Sequence, residues 1–408
     1  QARVTVDETY AHRGAEQTRQ AGSAIFSLQN SIKAFTGAER AGADPELVVR
    51  KEKQEQDFHA KVDANATWKA QFGGAWDAIA AATQRDEARV KQHYAYEFDS
   101  RLENLARTIV EYVTEVHKPA GERLPGFQDS DLQSLRYQIY SRAPVYPDFE
   151  KARLAGSLSF AEEQLGADDP LVKAALNGTA PTAVADAVIG GTRLADAAIR
   201  KQLIEGGEAA VRASTDPLIV FERKLDPILR AEMKWRRENV ESVTEHAGEQ
   251  LGKARFLVYG KSIYPDATFT LRLSYGQVKG YSMNGTIAPP ITTFFGLYDR
   301  ANSFGLKRPF NLVERFETGP AKLALNTPLN FVTTNDVVGG NSGSPVVNRA
   351  GELVGLVFDG NIESLAGDWI YDERTNRTVS VHTAGITEAL RKLYNVRPLL
   401  SEIGINGD

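Results

Sequence analysis

From residue 1 to about residue 252 the apolar positions recur three and four residues apart. Ile25, Leu28, Ile32 and Phe35 form one such stripe, and Gly37 offers it a stop. Leu102, Leu105, Ile109, Val113 and Val116 form a longer one. A third stripe, Leu218, Phe221, Leu225, Leu229 and Met233, opens on Asp216-Pro217. That pair is a capping aspartate followed by the proline that suits a first helical turn. Asp226-Pro227 falls inside the same stripe and predicts a break or kink there. Polar residues fill the opposite faces, so this half reads as helices packed through their stripes.

Near Gly252 the period changes. ARFLVYG, ATFTLRLSYG, PLNFVTT, SPVVN and ELVGLVFDG are short runs rich in β-branched and aromatic residues, bounded by Gly, Pro, Asn and Asp. From Thr268 to Ser274 polar and apolar residues alternate, the pattern of a half-buried strand. Asn348-Arg349-Ala350-Gly351 reads as a hairpin turn, and HTAGITEALRKLYNVRPLLSEI returns to helical spacing at the end. The fold class expected is α+β: a helical domain over 1–252, then a β domain over 253–408 closed by a helix.

The length of 408 residues fits two domains better than one core. A net charge of −5 argues against a nucleic-acid partner, which usually needs a basic face. No apolar run approaches the roughly 20 residues of a membrane helix, so no membrane partner is expected. The absence of cysteine excludes disulfides, thiolate metal sites and a cysteine nucleophile. The six histidines, His12, His59, His93, His117, His246 and His382, form no HExxH or His/Asp cluster, so neither a metal nor another cofactor is expected.

One stretch carries candidate chemistry. Val337 to Pro345 reads VVGGNSGSP, small residues crowded around Ser342 between two β runs. An acyl-transfer serine must project from a sharp turn, with backbone N–H groups converging on the developing oxyanion. Both demands favour residues without a side chain in the way. With chymotrypsin-like geometry, Gly340 N–H and Ser342 N–H would form the oxyanion hole. About 20 residues past such a serine, a strand lines the primary specificity pocket; Phe358, Asp359 and Gly360 stand there. The plain alternative is a glycine-rich turn with no chemistry.

Over Thr333 to Asn361, TTNDVVGGNSGSPVVNRAGELVGLVFDGN, the chain resembles the serine segment of the bacterial dipeptidyl-peptidase 7 and 11 family. FTLRLSYGQVKGY and VHTAGITEALRKLY are similar to the same family, and the helical half resembles its large cap domain. The resemblance implies a chymotrypsin-like antiparallel β-barrel in the second half. It implies a periplasmic or secreted serine exopeptidase of Gram-negative bacteria, a homodimer without a metal, that releases dipeptides from oligopeptide N-termini.

Ser342 then matches the nucleophile, and Gly340 with Ser342 the oxyanion donors. Family members that cut after acidic residues carry an arginine where this chain has Gly360, so the resemblance implies an open pocket for apolar or aromatic P1 side chains. Asp359 is the candidate anchor for the substrate's terminal ammonium, with Asn30 of the helical half as a second candidate. The family's histidine base and its aspartate orienter belong to an upstream barrel, and none of the six histidines here matches that base. Loss of a triad base costs about 10⁶ in kcat in subtilisin, so the chain without that N-terminal barrel is expected to be close to inert. Three other readings stay open: a peptide-binding module on a degenerate protease half, a structural protein, and His382 as base in an unfamiliar topology.

Overall fold

The computed structural model describes residues 1–263, 271–283 and 285–405. Its contacts divide into two compact units, residues 1–32 with 59–260, and residues 33–58 with 261–408. The expected boundary near Gly252 falls inside a helix, and residues 33–58 group with the later half.

Among the described residues thirteen α-helices precede the strands. They are α1 (Ala2–Ala11), α2 (Ala15–Gly42), α3 (Pro45–Asp63), α4 (Ala66–Phe72), α5 (Ala75–Ala95), α6 (Arg101–Glu115) and α7 (Leu132–Ile139). Then follow α8 (Pro147–Leu165), α9 (Pro170–Leu176), α10 (Pro181–Gly191), α11 (Ala197–Ala213), α12 (Pro217–Arg236) and α13 (Ser242–Tyr259). No helix among the described residues is long and apolar enough to cross a membrane.

The stripe on α6 is the centre of the first unit. Leu102, Ile109 and Val113 are buried against Leu154 and Leu158 of α8, Leu171 of α9, and Leu218 and Leu225 of α12. Ser100 caps α6 by accepting from Glu103 N, and Asp216 caps α12 by accepting from Leu218 N at 3.0 Å. Pro227 does not break α12 as its sequence suggested. Leu225 and Leu229 on either side of it are both buried, and that packing outweighs one lost backbone hydrogen bond.

Gly37 does not end α2 either. A Cβ there would stand 2.2 Å from the Leu365 side chain, so the glycine serves a close approach rather than a stop. ARFLVYG forms the end of α13 instead of a strand, with Ala254 buried and Gly260 at φ +56° closing the helix.

The second unit carries β1 (Tyr281–Met283), β2 (Thr286–Ala288), β3 (Ile291–Thr293), β4 (Pro328–Thr333), β5 (Pro345–Val347), β6 (Leu353–Gly360) and β7 (Thr378–His382). β1 and β2 form a separate hairpin, and the other five make an antiparallel sheet in the order β3-β4-β7-β6-β5. The expected closed chymotrypsin-like barrel is not formed: among the described residues this sheet is open, with β3 and β5 at its edges. Residues 267–270 of the expected ATFTLRLSYG strand lie outside the described residues. Leu271 to Gln277 forms no strand and meets the chain after β4 near its end, where Thr334 N donates to Gln277 O at 3.0 Å.

The turn at Asn348–Gly351 is a hairpin, with Asn348 N donating to Glu352 O at 3.0 Å and Gly351 at φ +80°. The single closing helix is instead two, α16 (Thr383–Ala389) and α17 (Arg397–Glu402), separated by Asn395 in the left-handed region. Between the strands lie two more helices, α14 (Phe294–Ser303) and α15 (Glu314–Glu317).

Residues 33–58 are fastened to the stretch between β6 and β7. Gly37 and Gly42 of α2 leave room for Leu365 and Trp369. Arg50 reaches Asp372 at 2.8 Å, and Arg374 reaches Glu46 at 2.7 Å. The glycines let α2 come close, and the ion pairs hold α3 to the same stretch of chain.

The first unit hides charge. Glu103 and Glu222 are fully buried, and the Arg107 guanidinium approaches them at 3.1 and 3.9 Å without aligned hydrogen bonds. Burial raises both carboxyls, and the Glu103 charge raises Glu222 further while the Arg107 charge pulls both back, so Glu222 is the one that keeps its proton. On the same helix, burial pushes Glu111 up to about 7 against the opposing pull of Arg107 and Arg230. The native state therefore holds a proton that an unfolded chain releases near pH 4.3. That stabilising proton is fully present below this value and lost as pH rises through about 7. Urea unfolding of this unit should lose on the order of 2 kcal/mol more between pH 5 and pH 8 in wild type than in Glu111→Gln. Parallel pH profiles for the two proteins would exclude the assignment.

Candidate active site

After β4 the chain runs irregularly through Thr334–Val338 into the glycine turn. Gly340 sits at φ +96° and Gly343 at φ +86°, a region where a Cβ is strongly disfavoured. The Asn341 side chain holds the turn from inside, its Oδ1 accepting from Val338 N at 2.9 Å. Asn341 N donates to Val338 O at 3.2 Å and Ser344 N to Asn341 O at 3.0 Å. Ser342 is thereby placed at the apex, exposed to solvent.

Two backbone hydrogen bonds stitch this turn to β6. Gly343 N donates to Val357 O at 2.7 Å, and Val357 N donates to Ser344 O at 3.0 Å. The Ser342 hydroxyl then points along β6, with the Phe358 carbonyl 3.5 Å away, a weak contact at most. Among the described residues neither Gly340 N–H nor Ser342 N–H has an acceptor. Chemically this is a serine on a tight turn beside unengaged donors.

β6 is irregular where it passes the turn. Val357 faces Ser380 and Asp359 faces Val379, so one residue of β6 is in excess. This bulge breaks the alternation of sides. Val357 is buried, Phe358 and Asp359 are both exposed, and Gly360 turns inward. A Cβ on Gly360 would stand 2.2 Å from Ser364 Oγ, so the Ser364 hydroxyl fills the room beside it. That hydroxyl donates to Asn361 O at 2.7 Å.

The Asp359 carboxylate already carries a cation. Lys33 Nζ lies 2.8 Å from Oδ1 and 2.9 Å from Oδ2, and Gly360 N donates to Oδ1 at 2.8 Å. Nothing in the sequence pattern marked Lys33, which sits among the polar residues of α2. Asn30 is an exposed residue of α2 in the first unit. A groove of about 480 Å³ in the second unit is lined by Leu47, Val48, Trp369 and Ile370, and Ser342 takes no part in it.

No histidine bonds to Ser342. His382 is the only one of the six in the second unit. Its Nδ1 accepts from Ala384 N at 3.0 Å to cap α16, its ring packs edge-on to Phe331 at 5.6 Å, and burial lowers its pKa. It serves as a neutral helix cap.

Arg377 positions the other side of the sheet. Its buried guanidinium donates to the carbonyls of Lys279, Gly280, Glu373 and Asn376 at 2.6–2.9 Å. Gly280 beside it leaves room for β2, because a Cβ there would meet Ala288 O at 2.4 Å. The sequence placed Arg377 in an unassigned stretch before β7, a strand it did not predict.

A family profile for Peptidase S46 matches residues 1–405. Dipeptidyl-peptidase 7 of Phocaeicola vulgatus is 39% identical over 148 residues, which is 35% of this chain and 20% of that protein. An Asp/Glu-specific dipeptidyl-peptidase of Shewanella putrefaciens is 24% identical over 430 residues, 93% of this chain and 57% of that one. The crystal structure of Porphyromonas endodontalis DPP11 in complex with dipeptide Arg-Glu aligns with a TM-score of 0.71 and 22% identity, over 100% of this chain and 60% of that chain. The chain thus spans a fifth to three fifths of the proteins it matches.

The packing at Gly360 is testable by itself. Gly360→Ala should lower stability by about 1–3 kcal/mol in thermal unfolding, because the methyl enters the space of the Ser364 hydroxyl. Adding Ser364→Ala should recover part of that loss. An unchanged melting temperature in the single variant would show that the two positions are not in contact.

Proposed function

This chain belongs to the peptidase S46 family, and we propose that its second unit carries the nucleophile and amine anchor of a serine exopeptidase releasing dipeptides from free peptide N-termini. The observation that carries the reading is the stitching of the serine turn to β6. It sets the Ser342 hydroxyl beside Phe358, one residue from a carboxylate that already holds an ammonium.

In this reading Ser342 Oγ attacks the carbonyl carbon of the second peptide bond. The developing oxyanion takes the unengaged N–H groups of Gly340 and Ser342, each such donor lowering the barrier by about 3 kcal/mol. Collapse of the tetrahedral intermediate expels the amine of the remaining peptide and leaves the dipeptide esterified to Ser342. Water then releases the dipeptide by the reverse arrangement. Asp359 binds the terminal ammonium and so fixes the cut two residues in. The proton of Ser342 goes to a general base, and His382, the histidine of the second unit, is not free for it because its Nδ1 caps α16. The histidine and aspartate of the triad would be contributed by sequence other than residues 1–408.

For P1, Gly360 supplies no cation, which favours apolar or aromatic side chains. The likeness to an Asp/Glu-specific dipeptidyl-peptidase over 93% of this chain favours a second reading, an acidic P1. Turnover of unblocked dipeptidyl reporters differing only at P1 separates the two.

A fluorophosphonate probe should label the catalytically competent protein once per chain, and Ser342→Ala should abolish labelling. An unlabelled wild type would favour a peptide-binding module without catalysis. N-acetylation of a good substrate should lower kcat/KM by about tenfold to a hundredfold, the worth of a lost charged hydrogen bond. Equal turnover of free and acetylated peptides would remove the exopeptidase reading and leave the serine-peptidase one standing.

A further inference from the structure

The Asp359 carboxylate holds the ammonium of Lys33 as it would hold that of a peptide. Lys33 Nζ donates to both carboxylate oxygens, at 2.8 and 2.9 Å, and to the Gly360 carbonyl at 3.2 Å. A carboxylate plus a backbone carbonyl is the acceptor set that recognises a free N-terminus.

The placement of Lys33 is built in. It lies one helical turn before Gly37, whose missing Cβ admits Leu365, and Gly42 does the same for Trp369. The Arg50–Asp372 and Arg374–Glu46 pairs hold the following helix to the same stretch of chain. The backbone under Lys33 is thus tied to the β6–β7 connection, and the flexible four-carbon stem alone decides whether the ammonium stays or leaves.

Resting on the reading of Asp359 as the amine anchor, we propose that the Lys33 ammonium is the resident occupant of that subsite, which an incoming peptide N-terminus must displace. The pair is part-exposed, 34% for Lys33 and 47% for Asp359, so water and ions screen it and the exchange of one ammonium for another is easy. A free N-terminus replaces the bond it breaks. A blocked N-terminus has no charge to offer the carboxylate and leaves Lys33 in place. Lys33 therefore raises KM for every peptide that must displace it, and it leaves blocked ones unaffected.

The test measures kcat and KM of the catalytically competent protein on an unblocked dipeptidyl reporter and its N-acetylated counterpart. Lys33→Met should lower KM for the unblocked reporter about fivefold with kcat unchanged, and leave the acetylated reporter unchanged. Lys33→Arg, which keeps a cation on a similar stem, should stay near wild type and shows that the effect is charge rather than folding. If Lys33→Met leaves KM unmoved or raises it while Asp359→Asn still narrows the gap between free and acetylated reporters, the competition is overturned and the anchor stands. If Asp359→Asn leaves that gap intact, the anchor reading falls and the Lys33 proposal falls with it.

Discussion

The site depends on two backbone hydrogen bonds, Gly343 N to Val357 O and Val357 N to Ser344 O. They start the β5–β6 ladder, which continues through Pro345 facing Leu356. Because they use only main-chain atoms, they set the distance from the serine to β6 whatever side chains surround it. The positive φ values of Gly340 and Gly343 are the local cost of that constraint, and glycine keeps the cost small. Phe358, Asp359 and Gly360 inherit their place relative to Ser342 from the same two bonds.

Around this anchor the second unit is held by contacts that tolerate little change. Arg377 ties four carbonyls together without a carboxylate partner, so it acts as a hub for main-chain dipoles rather than as half of an ion pair. Gly280 and Gly37 each leave room for an atom that a Cβ would strike. The first unit works differently. Its interior is apolar packing through α6, interrupted by glutamates whose state depends on pH.

Much of the helical half was legible, because a stripe such as Leu102, Ile109 and Val113 reports its own burial through periodicity. Where residue chemistry pointed to a stop at Gly37, close packing against Leu365 decided otherwise, and at Pro227 the helix runs on without a break. The short strands were legible where β-branched residues cluster, in β4, β5 and β6. ARFLVYG misled, since its apolar residues fit the end of α13 equally well. At the site, the glycines around Ser342 announced a turn, and the sharp turn is there. Lys33 and Arg377 were not legible, because an isolated cation carries no periodic signal and its partner lies far off in sequence. The bulge in β6 was invisible for a related reason: it is a mismatch between two strands, and one of them, β7, was not recognised.

That bulge has a consequence for how this strand could change over time. The two faces of a strand are a matter of parity, and the extra residue in β6 reverses parity between Val357 and Gly360. Deleting the residue in excess would restore the alternation and keep the carboxylate on the solvent side and the glycine on the inner side, whereas regular pairing with every residue retained would turn the carboxylate inward and the glycine outward in one step. No intermediate setting exists, because a side chain on a pleated strand faces one side or the other. Loss of the one excess residue therefore leaves both faces as they are, while a change in which residues of β6 and β7 pair acts as a switch rather than as an adjustment.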